Sequence, residues 1–534
     1  MSAELLEQSR QEETFTDMYT THSQITQTTA NDIDMQKYPL SWKSIRIYLG
    51  ASMGGLLFGY DGGAIAGVLL AIRPQDLGMD VLLDYQRGLI TASAALGSFS
   101  GSICAFPMAD MLGRRRTLGL CSLLFIIAAL VMATAVRLYT LIAGRIVLGI
   151  AVGIAAQCVP VYLSEVSPSS ARGTILTLNT LAITGGQLLA SILSWVILER
   201  PYAWRILFAT SAIPAVTLPL LLKFIPESPR WLILVGDPQE ARNSLSAIYP
   251  QATDLQILSK LAKMIQNISK IQGAGGETQP LVARGRVSHK RLSTSTEYES
   301  YLREFANRRN SEWSYPQKRY KMDPRTRRAL AVGCILMFFQ QATGFNAFVY
   351  FCPFMFSSIG MDDPLLPVVA VALINFSFTI FAMRVVDRVG RRSILLNSIW
   401  IMSLGLVLSS TGLENGNSSL FIIALLIYVA AYAIGMGSVP WMSVEFLPLN
   451  QRSFGASCIT CTNWLTNSAI SASFLPLVNA FSGQQVIVVF VVSTVINWFF
   501  VYFWYPEVKG LSLEEIGQVF EDGVDVHYVY RKYH

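Results

Sequence analysis

The chain reads as an all-α membrane protein: twelve transmembrane helices in two homologous six-helix halves. Three observations predict this. Its 534 residues are 52% hydrophobic and only 14% charged, with a mean hydropathy of +0.42, whereas soluble domains carry about a quarter charged residues. Twelve apolar runs, each near the ~20 residues that a ~30 Å hydrocarbon core demands, alternate with polar joints. The landmarks of the first six runs return in the second six, in the same order.

Residues 1–44 are polar and mixed in charge, a tail without the apolar core of a secretory signal. Residues 45–225 form the first half, with runs at about 45–71, 88–107, 117–136, 141–162, 174–198 and 204–225. Residues 226–327 are a polar central loop. Its amphipathic part, Asp237 to Lys263, predicts short helices, and the Gly/Ser/Thr/Arg-rich part from Gly273 to Arg309 predicts a flexible segment. The second half occupies 328–505, with runs at about 328–357, 365–386, 393–413, 419–443, 454–478 and 484–505, and residues 506–534 are a second tail. Lysine and arginine gather on one side of this pattern, which predicts that both termini and the central loop are cytoplasmic.

The halves repeat each other in detail. Asp110-x-x-Gly113-Arg114-Arg115 returns as Asp387-x-x-Gly390-Arg391-Arg392. Pro160, Glu165 and Arg172 return at identical spacing as Pro440, Glu445 and Arg452, and Pro226-Glu227 returns as Pro506-Glu507, all at offsets near 280. Parallel repeats of this kind mark carriers whose halves rock about a site between them. Asp110, Arg114, Arg115, Glu165 and Arg172, with Asp387, Arg391, Arg392, Glu445 and Arg452, fall on the basic side. Arginines there can bond helix-end carbonyls and pair with carboxylates of neighbouring helices, so the set predicts a latch between helices.

The net charge of +6 is spread in short clusters between apolar runs, so it orients the chain and does not speak for nucleic acid. Several of the seven cysteines lie within apolar runs. Cys458-x-x-Cys461 has no matching second pair, which points to small packing residues and not to metal. No nucleophile–base pair or phosphate-binding glycine loop stands out, and neither an enzyme nor a cofactor is expected. None of the four histidines lies in an apolar run. Asn417-x-Ser419 is a glycosylation sequon in a loop expected outside the cell.

One carboxylate breaks the apolar rule. Asp61, in Gly59-Tyr60-Asp61-Gly62-Gly63, lies in the middle of the first run. A charge at that depth costs roughly 2.5–3.5 kcal/mol on insertion scales, so it faces a cavity or a partner and marks an ion pathway. The partner of opposite sign is Arg145, in the fourth run.

Gly113-Arg114-Arg115, Glu165 to Gly173, Pro226-Glu227-Ser228-Pro229-Arg230, Gln340-Gln341-x-x-Gly344-x-Asn346, Pro440-Trp441 and Asn463-Trp464 together resemble the sugar porter family of the major facilitator superfamily, over about residues 45–515. Within it the chain is most similar to fungal-type proton-coupled myo-inositol transporters. Asn179 to Gln187 resembles their fifth-helix signature, Glu445 follows Trp441 by four residues as in that branch, and Arg325 to Gly333 also fits. Gly62-Gly63, Phe345, Phe351 and Met442-Ser443 depart from common family residues, in or beside the expected pocket.

The resemblance implies the major facilitator fold and proton symport of a polyol or sugar by alternating access. Carboxamides offer donors and an acceptor that match hydroxyl groups, and an aromatic face suits a ring's C–H side. Gln187, Gln340, Gln341, Asn346, Asn375, Asn463 and Asn467 are the candidate amides, with Trp441 as platform and Tyr350 and Thr180 as further contacts. By the same resemblance Asp61 carries the proton and Arg145 answers its charge, since facilitative relatives tend to be neutral at the Asp61 position. The expected partners are a small polyol or sugar, protons and the lipid bilayer, with the chain acting as a monomer in the plasma membrane. Two alternatives remain: a hexose or other small-metabolite carrier of the same fold, and a non-transporting nutrient sensor. The short stretch after Pro506 argues against the sensor.

Overall fold

In a computed structural model, residues 41–168, 171–273, 322–358, 360–448, 451–509, 511, 513–521 and 523–528 are described. The tail before residue 41 and the Gly/Ser/Thr/Arg-rich part of the central loop lie outside them, as do the side chains of Arg172 and Asp387. The described residues are helical and joined by short turns.

The first half contains α1 (Trp42–Ala71), α2 (Asp84–Leu112), α3 (Arg114–Ala133), α4 (Leu138–Val166) and α5 (Arg172–Ile197), then α6 (Ala203–Thr210) and α7 (Ala212–Leu222). The short helices α8 (Pro229–Val235), α9 (Pro238–Ile248) and α10 (Asp254–Gly273) follow. The second half contains α11 (Pro324–Ala342), α12 (Phe345–Ser358), α13 (Leu366–Val389), α14 (Arg391–Glu414), α15 (Ser418–Ile434), α16 (Val439–Met442), α17 (Arg452–Ala480) and α18 (Gly483–Trp504), before a final α19 (Leu513–Gln518).

Eleven helical segments among the described residues are long and apolar enough to cross a membrane. The run left out, α17, is as long as α2 but carries Ser, Thr, Cys and Asn throughout. Part of its polarity is spent on α2, which runs antiparallel beside it along its length. Ser468 Oγ donates to the Ala92 carbonyl at 3.2 Å and Ser457 Oγ to the Ser102 carbonyl at 2.6 Å, while the Phe106 and Phe454 rings meet edge to face at 6.2 Å. Small hydroxyl residues let two helices approach and bond each other's backbone, where lipid offers no partner.

The duplicated Asp-x-x-Gly-Arg-Arg motif has one conformational cause. Gly113 (φ 87°) alone separates α2 from α3, and Gly390 (φ 102°) alone separates α13 from α14. Only glycine adopts positive φ at little cost, so each half turns one helix straight into the next on a single residue.

Several helices are interrupted. The α11–α12 run breaks at Thr343-Gly344, where Gly344 has φ 87° and a Cβ would stand 2.7 Å from Phe490. The α15–α16 run breaks after Gly435, against which Ser398 packs too closely for any side chain. Breaks in membrane helices survive where protein, and not lipid, receives the freed carbonyls.

By contacts the chain forms two compact units. The larger holds both membrane-spanning halves. The smaller comprises residues 1–47, 165–172 and 226–317. In it, α8, α9 and α10 enclose a core that includes Leu232, Ile233, Leu245, Leu258 and Leu261. Ser228 and Asp237 cap the first two of these helices, each followed by proline at the first helical position, and Ser44 Oγ donates to the Ile248 carbonyl at 2.8 Å.

Candidate functional site

Asp61 and Arg145 form an ion pair inside the larger unit, from α1 to α4, and Arg145 Nε also donates to the Ile90 carbonyl of α2 at 3.1 Å. The arginine side chain is 3% exposed and the carboxylate 12%. Beside them Gly62 faces open space, since a Cβ there would meet nothing within 4 Å.

Glycines fix the helix that carries Asp61. Gly55, Gly59, Gly63 and Gly67 recur every fourth residue on α1, so they share one face. A Cβ on Gly59 would lie 1.8 Å from the Ile183 carbonyl of α5, and one on Gly63 2.4 Å from the Gln187 carbonyl. Backbone therefore rests on backbone, and the carboxylate helix is pressed against the helix that presents Gln187 and Thr180.

The candidate amides form three paired groups. Asn375 Nδ2 on α13 donates to Gln187 Oε1 on α5 at 2.9 Å, joining the two halves. Asn346 Nδ2 donates to Gln341 Oε1 at 2.7 Å across the Gly344 break. Asn463 Nδ2 on α17 donates to Gln340 Oε1 at 2.8 Å, and Gln340 Nε2 donates to the Met436 carbonyl, freed by the α15–α16 break, at 2.7 Å. The interruptions thus build the site: one brings two amides together and the other supplies an acceptor.

Asn467 accepts from Ser471 Oγ at 2.9 Å and lies beside Tyr350, which is also within electrostatic range of Asp61 and Arg145. Asn463 Oδ1 and Asn467 Nδ2 are buried without a hydrogen-bond partner among the described residues. Thr180 and Trp441 do not belong to these groups. They line a narrow cleft with Phe58, Asn179, Ser438 and Met442.

The departures from the resembled family find physical reasons. Phe351 is fully buried and stacked on Phe474 at 5.3 Å, so it packs the core. Phe345 stacks on Tyr432 at 3.8 Å just after the Gly344 break. Met442 lines the cleft of Trp441.

The basic end shows what the duplicated charges do. Arg114 lies 3.6 Å from Asp110, one turn earlier, and donates to the Ala109 carbonyl at 3.0 Å. Arg392 Nη2 donates to the Tyr502 carbonyl at 2.9 Å, and Arg452 Nη2 to the Leu447 carbonyl at 3.2 Å. These contacts bind helix ends within a half. Glu507, which sequence reasoning noticed only as part of a repeat, accepts the backbone N–H groups of Arg391 and Arg392 at 3.0 Å and caps α14. Asn417 serves as N-cap of α15, its Oδ1 accepting from the Leu420 N–H at 3.0 Å. Among the described residues no group of three or more His, Cys, Asp or Glu is placed to hold a metal ion.

Comparison with known proteins gives the context. The sequence model of the "Sugar (and other) transporter" family matches residues 47–520. The chain is 50% identical to a "probable metabolite transport protein" of Saccharomyces cerevisiae, over 98% of this chain and 99% of the relative. It is 33% identical to "Myo-inositol transporter 1" of Cryptococcus neoformans, over 89% and 81%. Among solved structures it resembles the proton:xylose symporter XylE bound to 6-bromo-6-deoxy-D-glucose, a transporter from E. coli, with a TM-score of 0.71, 25% identity, and coverage of 90% of this chain and 100% of that one.

Proposed function

Because the chain belongs to the sugar transporter family of the major facilitator superfamily, we propose that it is a proton-coupled carrier of a polyol or sugar, with myo-inositol the favoured solute. Family and fold are those of transporters and not of enzymes. The observation that carries the coupling is the buried Asp61–Arg145 pair between α1 and α4.

With Asp61 ionised, its attraction to Arg145 holds α1 to α4. At an effective dielectric of about 20, opposite charges ~4 Å apart attract by about 4 kcal/mol. Protonation removes that attraction. Reversing a two-state population from 1:99 to 99:1 takes about 5.5 kcal/mol, so the proton falls short alone and solute that binds one state better must supply the rest. Close glycine packing hands any movement of α1 to α5, and hence to Gln187, whose bond to Asn375 spans the halves. Solute hydroxyls that replace this bond would feel the state of Asp61. Release of the proton restores the pair and resets the carrier.

The amides and Trp441 suit a neutral ring with several hydroxyls. The favoured solute rests on the myo-inositol transporters among the relatives. The competing reading is another small metabolite on the same scaffold. It is favoured by the 50% identical relative, whose name commits only to a metabolite. In this reading the chain acts as a monomer in the plasma membrane with both termini cytoplasmic, the orientation that its basic residues favour.

The deciding experiment is uptake of labelled myo-inositol, D-glucose and D-xylose in cells without their own carriers, with and without a proton uncoupler, by wild type and Asp61→Asn. The expected result is inositol accumulation that both treatments abolish. Accumulation of another solute moves the substrate and keeps the mechanism, while accumulation by Asp61→Asn overturns the coupling.

A further inference from the structure

At the end of the bundle where α2 begins and α17 finishes, side chains of the first half reach across to the second. Asp84, the first residue of α2, pairs with Arg87 at 3.0 Å and accepts from Asn479 Nδ2 of α17 at 2.7 Å. The Arg87 guanidinium lies over the Phe354 ring of α12, 5.2 Å from its centroid. Trp195 Nε1, near the end of α5, donates to Asp363 Oδ2, in the turn before α13, at 2.8 Å. An i,i+3 ion pair alone is an ordinary feature of a helix surface. Here both of its members also hold the other half. Gly88, next to Arg87, lets α2 rest on the Ala472 carbonyl of α17, which a Cβ would approach to 3.0 Å.

We propose that Arg87 closing on Phe354 is a gate on the route from that end to Asp61, with Asp84 and Asn479 as its positioning residues. The proposal rests on the transport reading above. Depth supports it. Ile90, one turn deeper than Arg87 on α2, is the residue whose carbonyl accepts from Arg145. Tyr350, one turn deeper than Phe354 on α12, lies within electrostatic range of Asp61 and Arg145. The two helices that meet at the gate therefore also reach the charge pair. Strength supports it as well. The Arg87 side chain is 29% exposed and that of Asp84 39%, and ion pairs and ring contacts at such sites are individually weak. The gate can thus open and close on small differences. A guanidinium suits the task, because its plane covers an aromatic face while its N–H groups stay on a carboxylate. Asp84 holds Arg87, and Asn479 holds Asp84 from the other half, so parting of the halves here frees the arginine. The Trp195–Asp363 bond is a second strap, between α5 and α13, the helices that also share the Gln187–Asn375 bond.

The test uses the full-length protein at the surface of intact cells, where in the proposed orientation this end faces outside. Gly62→Cys, beside Asp61 and facing open space, is labelled with a membrane-impermeant thiol reagent. Labelling is read at residue 62 by peptide mass spectrometry, apart from the native cysteines, and surface protein is quantified for every variant. Adding Arg87→Gln or Phe354→Ala should speed labelling several-fold, and combining the two should add nothing, because a single contact is lost. Asn479→Leu should speed it less, and Arg87→Lys, which keeps a cation on the ring, should stay near the slow rate. Unchanged labelling in Arg87→Gln and Phe354→Ala overturns the gate. Additive effects of these two also overturn it, since the residues would then act separately. Uptake of labelled myo-inositol, D-glucose and D-xylose by wild type is measured in the same cells. Uptake with unchanged labelling removes the gate and leaves the transport reading standing. If no solute is taken up, the transport reading falls and the gate falls with it. Should Phe354→Ala not reach the surface, Phe354→Leu, which keeps the bulk and removes the ring face, replaces it with the same expectation.

Discussion

The two membrane halves share a plan and divide the chemistry. The first holds the buried charge, Asp61 with Arg145, on α1 and α4, and it stabilises these helices by bare backbone contact at glycines. The second holds most of the amides, on helices broken at Gly344 and Gly435, with the freed Met436 carbonyl in use. A charge in a low-dielectric interior needs a rigid frame, since any unpaired moment is costly. Hydroxyl recognition needs donors and acceptors at many angles, which an unbroken helix cannot offer because its backbone groups bond one another. On the proposed function, each of the two repeated frames serves one of these demands.

The largest effects should come from breaking the charged half. Arg145→Leu leaves Asp61 buried without its partner, which costs about 3–5 kcal/mol. The expected outcome is a large loss of folded protein by fluorescence-detected size exclusion, with partial recovery when Asp61→Asn is added. A double variant no better than Arg145→Leu would mean that the arginine acts through Ile90 and not through the carboxylate.

Next come the glycines. Gly59→Ala places a methyl group against the Ile183 carbonyl and forces α1 from α5, an overpacking cost of about 1–3 kcal/mol or more. Gly62→Ala, three residues on, meets open space and should leave the folded yield near wild type. Equal losses in both would refute the close-packed frame.

In the second half, Gln340→Leu removes the partner of both Asn463 Nδ2 and the Met436 carbonyl. Each buried group left unpaired costs about 1–3 kcal/mol. On the proposed function solute affinity should fall with protein stability, because the same amides would hold the break and bind the solute. A loss of stability with unchanged KM would make Gln340 a purely structural glue.

Much of this was legible in the sequence. The apolar runs, the offset repeats and the lone carboxylate are one-dimensional signals, and they gave the spans, the duplication and the Asp61–Arg145 pair. The break at Gly344 was not read from the sequence, where residues 328–357 form one apolar run. That it pairs Gln341 with Asn346 depends on the positive φ of one residue. The Asn375–Gln187 bond between the halves was not legible, because residues 188 apart in sequence meet only in three dimensions. Nor was the role of α17's hydroxyls, since a polar run resembles a weak membrane span until α2 is seen accepting its bonds.

The smallest effect sharpens the comparison most. Glu507 places one carboxylate oxygen on the Arg391 N–H and the other on the Arg392 N–H, and also accepts from the Val508 and Lys509 N–H groups at 3.0 and 3.1 Å. It is 4% exposed and sits against Gly390, where any side chain would strike it. A negative charge at a helix N-terminus contributes about 0.3–1 kcal/mol, rising to about 2 in partly buried sites. Glu507→Gln keeps the shape, removes the charge and turns an N–H₂ toward other N–H groups, so a loss near the upper figure is expected in thermal unfolding in detergent. Burial limits salt screening, so the loss should persist at high ionic strength. Glu227 occupies the matching place in the repeat. An equal loss in Glu227→Gln means that the duplicated motif does the same work in both halves. A loss confined to Glu507 means that the second half alone depends on the cap, consistent with its helices being the broken ones.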